Sequence, residues 1–286
     1  MTSLPSPSPL QVDATDGNWY NSANKPFAPE EIPNNTADTY YPFSLTQNNA
    51  RYSLDGGVTW QYGSFEKVWN KAVAASVRAG LSDICEHHTE HTDECFFREA
   101  VAGQPERPAI DCGYICQICS PIVELNNSID QQDHIFGEGV GFSKTGSILV
   151  PKGASIILRG NNKSIDRGYS LLATPLQDGS VITVDGRLVL DMGIGQIKGG
   201  NASNGGGVSI SPSGTCILNS GNLRRNRAYW GSAIYNEGTF IQNGGGISNN
   251  GYPNKSGSGT ICNCGTMILN GGTITENYGQ YGSAIY

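Results

Sequence analysis

Apolar and polar positions along this chain recur in short, repeating strings. Gly-Thr-Cys-Ile-Leu-Asn at Gly214–Asn219 returns as Gly-Thr-Phe-Ile-Gln-Asn at Gly238–Asn243 and as Gly-Thr-Met-Ile-Leu-Asn at Gly265–Asn270, at intervals of 24 and 27 residues. A second string, Gly-Ser-Ala-Ile-Tyr, runs in phase with the first at Gly231–Tyr235 and Gly282–Tyr286. Repeats of about 20 to 50 residues are typical of solenoids, in which each unit buries its apolar face against the next.

The content of each repeat predicts which solenoid the chain forms. Short β-favouring runs such as Thr266–Leu269 are divided by Gly and Asn, and the pattern has no helical periodicity. Two or three short strands in about 25 residues describe one turn of a parallel β-helix. Looser copies at Gly153–Leu158 and Gly186–Asp191 carry the pattern upstream. We therefore place the start of the β-helix near Ser143 and expect it to cover 143–286.

Alignment of the repeats predicts which side chains stack between neighbouring units. Three ladders result, one with Leu188, Cys216, Phe240 and Met267, a second with Leu190, Leu218, Gln242 and Leu269, and a third with Asp191, Asn219, Asn243 and Asn270. We assign the first two to the interior because they hold the bulkier apolar groups. The third predicts a turn stack of short amides that bond from unit to unit. Between the interior ladders stand equally apolar residues, so the opposite face should be either covered or adhesive: Val189, Ile217, Ile241 and Ile268.

The N-terminal part predicts a lead-in and a lid. Residues 1–50 are rich in Pro, Asn, Ser and Thr, which is typical of a linker, and 51–82 predict a hairpin followed by a capping helix. Ser53–Trp60 fits Ser-x-Asp-x-Gly-x-Thr-Trp and resembles the Asp-box hairpin of sialidase-type propellers. A single box favours a structural hairpin over a sugar site.

A helix is predicted from Ser64, as its cap, to Ala79, before Gly80 ends it. We expect this helix to cover the N-terminal end of the β-helix, because solenoid ends need an apolar lid. The stripe expected to face the core is Phe65, Val68, Trp69, Ala72, Val73, Ser76 and Val77.

The segment 83–122 is a small Cys/His-rich insert that concentrates three of the four histidines and five of the eight cysteines. Thiolates and imidazoles at short spacings are the ligands of tetrahedral Zn²⁺, so we expect a structural zinc site, with disulfides or free thiols as the alternatives. Disulfides leave an odd cysteine and do not account for the histidines. The candidate ligands are Cys85, His87, His88, His91, Cys95, Cys112, Cys116 and Cys119.

Three further cysteines and one histidine lie outside this insert. Cys216, Cys262 and Cys264 fall at repeat positions held elsewhere by other residue types, so we predict that they pack rather than bind a metal. His134 is predicted to be a surface or loop residue.

Composition limits the classes of function. The chain has 286 residues, 38 glycines, 15% charged residues and a formal charge of -7, which suits one elongated domain with a smaller attachment. The absence of a basic stripe argues against nucleic acid, and no apolar run is long enough to span a membrane. Met1 is not followed by a secretory leader, and the last repeat stops at Tyr286, so we expect a longer chain around this one.

The repeats, best seen in Gly265–Asn277, together with Val150–Ala154, resemble the pectin-lyase-like right-handed β-helices of large cell-surface proteins from gut Firmicutes. The strings Cys85–Cys95, Glu99–Pro105 and Cys112–Cys119 are similar to a Cys/His-rich insert of the same proteins. The resemblance implies a right-handed fold and an exported, adhesin-like protein on the cell wall or outside the cell.

Three functional hypotheses follow. The first is attachment to a glycan or host surface protein, with the candidate contact residues Arg224, Arg225, Arg227, Tyr229 and Trp230. Other tyrosines recur near the repeat corners, with burial favoured for the first and last of them: Tyr235, Tyr252, Tyr278, Tyr281 and Tyr286. The second is a polysaccharide lyase or glycoside hydrolase, for which the repeats offer Asp185, Asp191, Glu237 and Glu276. The third is an inert stalk.

Overall fold

The computed structural model describes residues 48–78, 116, 119–131, 136–168, 179–251, 259–279 and 284–286, and the backbone of 11–12 and 19–20. This described part is all-β with one helix, which confirms the predicted class. In chain order the elements are β1 (Gln11–Val12), β2 (Trp19–Tyr20), β3 (Ala50–Ser53), β4 (Gln61–Gly63), α1 (Phe65–Arg78), β5 (Ile122–Leu125), β6 (Ile129–Asp130), β7 (Ile148–Val150), β8 (Ser155–Arg159), β9 (Ile165–Asp166), β10 (Ile182–Val184), β11 (Arg187–Lys198), β12 (Asn201–Asn204), β13 (Val208–Ile210), β14 (Thr215–Arg224), β15 (Arg227–Trp230), β16 (Ile234–Asn236), β17 (Thr239–Gln242), β18 (Gly246–Ser248), β19 (Ile261–Asn263), β20 (Thr266–Leu269) and β21 (Thr273–Thr275).

Parallel sheets built from successive repeats organise these strands. One sheet runs in the order β7, β10, β13, β16, β19. A second runs β5, β8, β11, β14, β17, β20, with β3 and β4 added antiparallel at its N-terminal end. The long strands β11 and β14 also pair, through their second halves, with β9 and β18. These parallel sheets are compatible with a β-helix.

The first predicted interior ladder is confirmed residue by residue. Leu188 pairs with Cys216, Cys216 with Phe240, and Phe240 with Met267. All but Met267 are buried, and Met267 packs against the same core. The second ladder is confirmed as far as Gln242, but its last member, Leu269, is 46% exposed, because β20 is the end strand of its sheet within the described residues. The amide stack is confirmed from Asn219 through Asn243 to Asn270, with bonds of 2.9 and 2.8 Å between side chains.

The structure corrects two details of that alignment. Asp191 pairs with Ser220 rather than Asn219, because a bulge shifts the register of β11 and β14 by one residue there. Parallel pairing also begins at β5, upstream of the start placed near Ser143, since Ile122 already lies beside Ile157.

The face opposite the interior is covered in part by the hairpin of β3 and β4. Ile122, Ile157 and Val189 form a second buried cluster, against which Trp60 and Ile217 pack. The indole of Trp60 is held by a 3.0 Å bond from Nε1 to the carbonyl of Gly57. The hairpin therefore shields apolar residues that would otherwise face water.

Helix α1 packs on the N-terminal end of the core, as predicted. Trp69 is fully buried and its Nε1 donates to the carbonyl of Leu149 over 3.0 Å. Ser76 reaches the carbonyl of Ser155 over 3.1 Å. The predicted stripe is wrong at one residue, Val77, which is 44% exposed and lies beyond the edge of the buried face.

A buried asparagine ladder, absent from the sequence alignment above, supports the turn after β14 and β18. Asn226 and Asn250 are fully buried, and the next member is Asn277. Each side chain donates to a carbonyl of the preceding repeat, at Ile197, Leu223 and Ile247 respectively. Each oxygen accepts from a backbone amide of that repeat, as in the 3.0 Å bond from the amide of Asn226 to Asn250. Buried turn amides thereby find partners that water cannot provide.

Replacement of Asn250 by Ala should lower the free energy of unfolding by about 3 kcal/mol. It removes the hydrogen-bond partner of the Asn226 amide and of the Leu223 and Ser248 carbonyls. The matched control is Asn243→Ala, which removes one member of the exposed stack and should cost less than about 1 kcal/mol. Denaturant unfolding followed by circular dichroism measures both. Equal losses in the two variants would show that the inner ladder has no special role.

Candidate functional site

The three candidate arginines lie at one turn, with Arg224 and Arg227 on either side of it and Arg225 within it. Arg224 ends β14, Arg227 begins β15, and Arg225 between them adopts a left-handed backbone with φ of 55°. Asn249 and Glu276 adopt the same conformation at the equivalent positions, with φ of 54° and 55°. The strained angle is therefore a property of the repeated turn and not of a binding site.

Arg224 lies in a row of charged and polar side chains that runs across adjacent strands. Its strand partners are Lys198 on one side and Ser248 on the other. Lys198 forms an ion pair of 2.8 Å with Asp166, one repeat further away. The Nε atom of Arg224 is buried and has no hydrogen-bond partner within the described residues. Because Lys198 already pairs with Asp166 and Ser248 is neutral, neither strand partner offers Arg224 a carboxylate, so an anion beside Arg224 would be stabilised.

Tyr229 and Trp230 form an exposed aromatic cluster with Tyr286. The ring centroids of Tyr229 and Trp230 are 5.2 Å apart, and those of Trp230 and Tyr286 are 5.8 Å apart. The three side chains are 54%, 36% and 58% exposed. Strand β15 positions the first two by pairing with β12, in which Asn204 lies beside Trp230.

The remaining tyrosines differ from one another. Tyr286 was expected to be buried, but its side chain is exposed, although its backbone amide and carbonyl bond to Ile261 and Asn263 of β19. Tyr235 is half-buried and Tyr278 is 45% exposed. Tyr252 and Tyr281 lie outside the described residues.

Of the eight candidate zinc ligands, only Cys116 and Cys119 are described. Cys116 is buried, and its Sγ accepts a 3.3 Å hydrogen bond from the backbone amide of Cys119. An amide directed at sulfur suits a thiolate, so this Cys-x-x-Cys turn fits one half of a metal site. No cluster of three or more metal-binding side chains occurs within the described residues. The other six, and His134, lie outside them: Cys85, His87, His88, His91, Cys95 and Cys112.

The packing prediction for the later cysteines is confirmed for two of the three. Cys216 and Cys262 are buried, and burial raises the pKa of Cys216 to about 12. Cys264 is exposed, so the prediction is wrong there, because this residue follows the end of β19.

Three of the four carboxylates considered for catalysis, all except Asp185, have separate side-chain partners. Asp191 accepts a 2.5 Å bond from Ser220, Glu276 accepts a 3.0 Å bond from Asn249, and Glu237 lies 3.4 Å from the hydroxyl of Tyr235. The three acids thus have partners from their own repeat or the adjacent one.

A charged network around the hairpin escaped the sequence argument. Arg51 pairs with Glu124 over 2.5 Å and lies 4.2 Å from the ring centroid of Trp60. Glu124 also accepts a 2.6 Å bond from Asn161. Since 73 residues separate Arg51 from Glu124, no local pattern could reveal the pair.

The Asp-box prediction of a structural hairpin agrees with the observed contacts of Asp55. Its oxygens accept bonds from the amides of Val58 and Thr59, and from the hydroxyls of Ser53 and Thr59. These bonds, led by that from the Thr59 hydroxyl, hold the pKa of Asp55 well below its usual range.

Comparison with known proteins identifies no relative: no protein family, curated protein or solved structure matches the chain. Within the described residues, no helix is long and apolar enough to cross a membrane.

The hairpin should lose stability in acid. Because the folded pKa of Asp55 is depressed, its contribution is complete above the unfolded value of about 3.9 and is lost as the pH falls through the folded pKa. The stability difference between wild type and Asp55→Asn should therefore shrink steadily below about pH 4. Urea unfolding at several pH values, followed by tryptophan fluorescence, measures it. Asp185→Asn is the matched control, and a difference independent of pH would contradict the assignment.

Proposed function

We propose that the repeats form a right-handed parallel β-helix in an exported, adhesin-like surface protein that binds a glycan or a host surface protein without catalysis. The observation that carries the proposal is the exposed cluster of Tyr229, Trp230 and Tyr286. Parallel pairing of equivalent strands in successive repeats supports the β-helix.

The aromatic cluster has the chemistry of a contact surface. Tyrosine and tryptophan combine an apolar ring with a polar tip, which suits a partner that presents both C–H groups and hydroxyls, as sugars do. Three exposed rings, with Trp230 in contact with both tyrosines, form a patch, whereas isolated surface aromatics are ordinary. Two of the three rings, those of Tyr229 and Trp230, are presented on β15, a strand held by β12, so little ordering of these two is needed on binding.

A glycan is the partner that we favour. Arg225 is exposed and Arg227 begins the strand that carries the two aromatic residues, so hydrogen-bond donors accompany the rings along the chain. Attachment proteins with such small patches bind weakly and gain strength from many copies on a surface. An enzyme would need its acids to converge, and the separate partners of Asp191, Glu237 and Glu276 favour a non-catalytic role.

The double substitution Tyr229→Ala and Trp230→Ala should weaken glycan binding at least about tenfold, through loss of the ring surface. A broad glycan array first selects a ligand, and isothermal titration then compares wild type with the variant. Tyr278→Ala is the matched control, because this tyrosine is similarly exposed. No array signal above background would support the stalk, while binding retained by the double variant would move the site elsewhere.

We also propose that the Cys/His-rich insert holds structural zinc. The Cys116 and Cys119 turn supports this, since an amide hydrogen bond to sulfur stabilises a thiolate ligand. Bound zinc would fold a segment too polar to form its own core.

Protein purified without chelator should contain about one or two zinc ions per chain by plasma mass spectrometry. The double substitution Cys116→Ser and Cys119→Ser should remove at least one of them. Cys264→Ser, outside the insert, should leave the zinc content unchanged. Well under one zinc per wild-type chain, with no free thiols in 80–125, would instead indicate disulfides.

A further inference from the structure

Two cysteines lie side by side at the C-terminal end of the first parallel sheet. Cys262 is the middle residue of β19, and Cys264 follows two positions later. Residues two apart on a strand project to the same side. Cys262 pairs with Tyr235 of the preceding repeat, and the amide of Cys264 donates to the carbonyl of Asn236 over 2.7 Å. Backbone bonds thus fix both cysteines in register.

The two cysteines share a neighbour on the preceding repeat. Cys262 is the strand partner of Tyr235, and Cys264 follows Cys262 by two positions, so both lie on the side of Tyr235 and its hydroxyl. Glu237 completes the group, 3.4 Å from that hydroxyl. Cys262 is 4% exposed, whereas Cys264 is open to solvent. The thiol of Cys264 is therefore accessible to a reagent in solution, whereas the thiol of Cys262 is covered.

We infer that Cys262 and Cys264 form a thiol–disulfide exchange site whose co-substrate is a low-molecular-weight disulfide. The thiolate of Cys264 attacks one sulfur of that disulfide, giving a mixed disulfide and one small thiolate. The thiolate of Cys262 then attacks the sulfur of Cys264 and expels the second small thiolate. The protein loses two thiol protons and two electrons, and the small disulfide becomes two thiols.

The expected distance between the α-carbons of Cys262 and Cys264 permits a disulfide between them. Two steps along a strand separate α-carbons by about 6.6 Å, inside the range of about 4.4 to 6.8 Å that disulfides bridge. A ring this small is strained, so the bond should be easily reduced instead of serving as a permanent staple.

Burial raises the pKa of Cys262 to about 11, and the neighbouring Cys264 and Glu237 act in the same direction. Since only the thiolate attacks, the second step should be slow at neutral pH and should accelerate by up to about tenfold for each pH unit. The nearby ionisable groups are Glu237 and Tyr235 on the adjacent repeat and Cys264 on the same one.

The test uses the full chain, reduced and then exposed to oxidised glutathione at pH 8. Trypsin releases Ser256–Tyr286, which contains Cys262 and Cys264 and no other cysteine. After alkylation of remaining thiols, this peptide should be unalkylated and about 2 Da lighter than its dithiol form. A glutathione adduct of about 305 Da should appear first and decay faster at pH 9 than at pH 7.

Two variants assign the steps. Cys262→Ser should stop at the adduct, and Cys264→Ser should give neither the adduct nor the disulfide. If a variant fails to fold, the wild-type time course still decides. A wild-type peptide that keeps two alkylatable thiols, or one that retains the adduct with Cys262 free, overturns the inference. The outcome is independent of glycan binding and of zinc in the insert.

Discussion

The structure depends on satisfying the backbone at the turn that every repeat must make. Parallel strands leave turn amides and carbonyls inside, where an unbonded group costs about 1 to 3 kcal/mol. Asn226, Asn250 and Asn277 meet that need by bonding both to the preceding repeat and to each other. Because each amide serves two repeats, a unit cannot shift without breaking bonds in its neighbour. The ladder thus fixes the register on which the apolar interior relies.

Because the register is fixed, equivalent positions of successive repeats share one backbone geometry, while the side chains at those positions differ. The interior row tolerates Leu188, Cys216 and Phe240 in succession because all are apolar and the core can repack around them. At the left-handed turn position, Arg225, Asn249 and Glu276 share one backbone angle and differ in charge. Side chains there affect the backbone little, so charge can change from one repeat to the next. Function is therefore expected on outward positions next to strictly repeated ones.

The chain's periodicity predicted its most regular parts, and these are the ones that the structure confirms. Spacings of 24 and 27 residues were enough to align Asn219 with Asn243 and Asn270. The bulge that pairs Asp191 with Ser220 could not be predicted, because alignment assumes equal strand lengths. Nor could the Arg51 and Glu124 pair, which depends on how the hairpin docks. At the candidate site, sequence indicated Tyr229 and Trp230 but not the contact of Trp230 with Tyr286, which joins residues in different repeats.

The cysteines show how position in a repeat decides the chemistry of a side chain. Cys216 lies on the interior row, where burial raises its pKa to about 12, so it behaves as a small apolar residue. Cys262 lies on an outward row but is covered, and Cys264 lies just past the strand, where solvent reaches it. The exposure of a cysteine thus depends on which face of the strand it lies on and on its distance from the strand end. In this chain the exposure of a thiol, like that of an aromatic ring, follows from its position in the repeat, and the stacked asparagines hold that position in place.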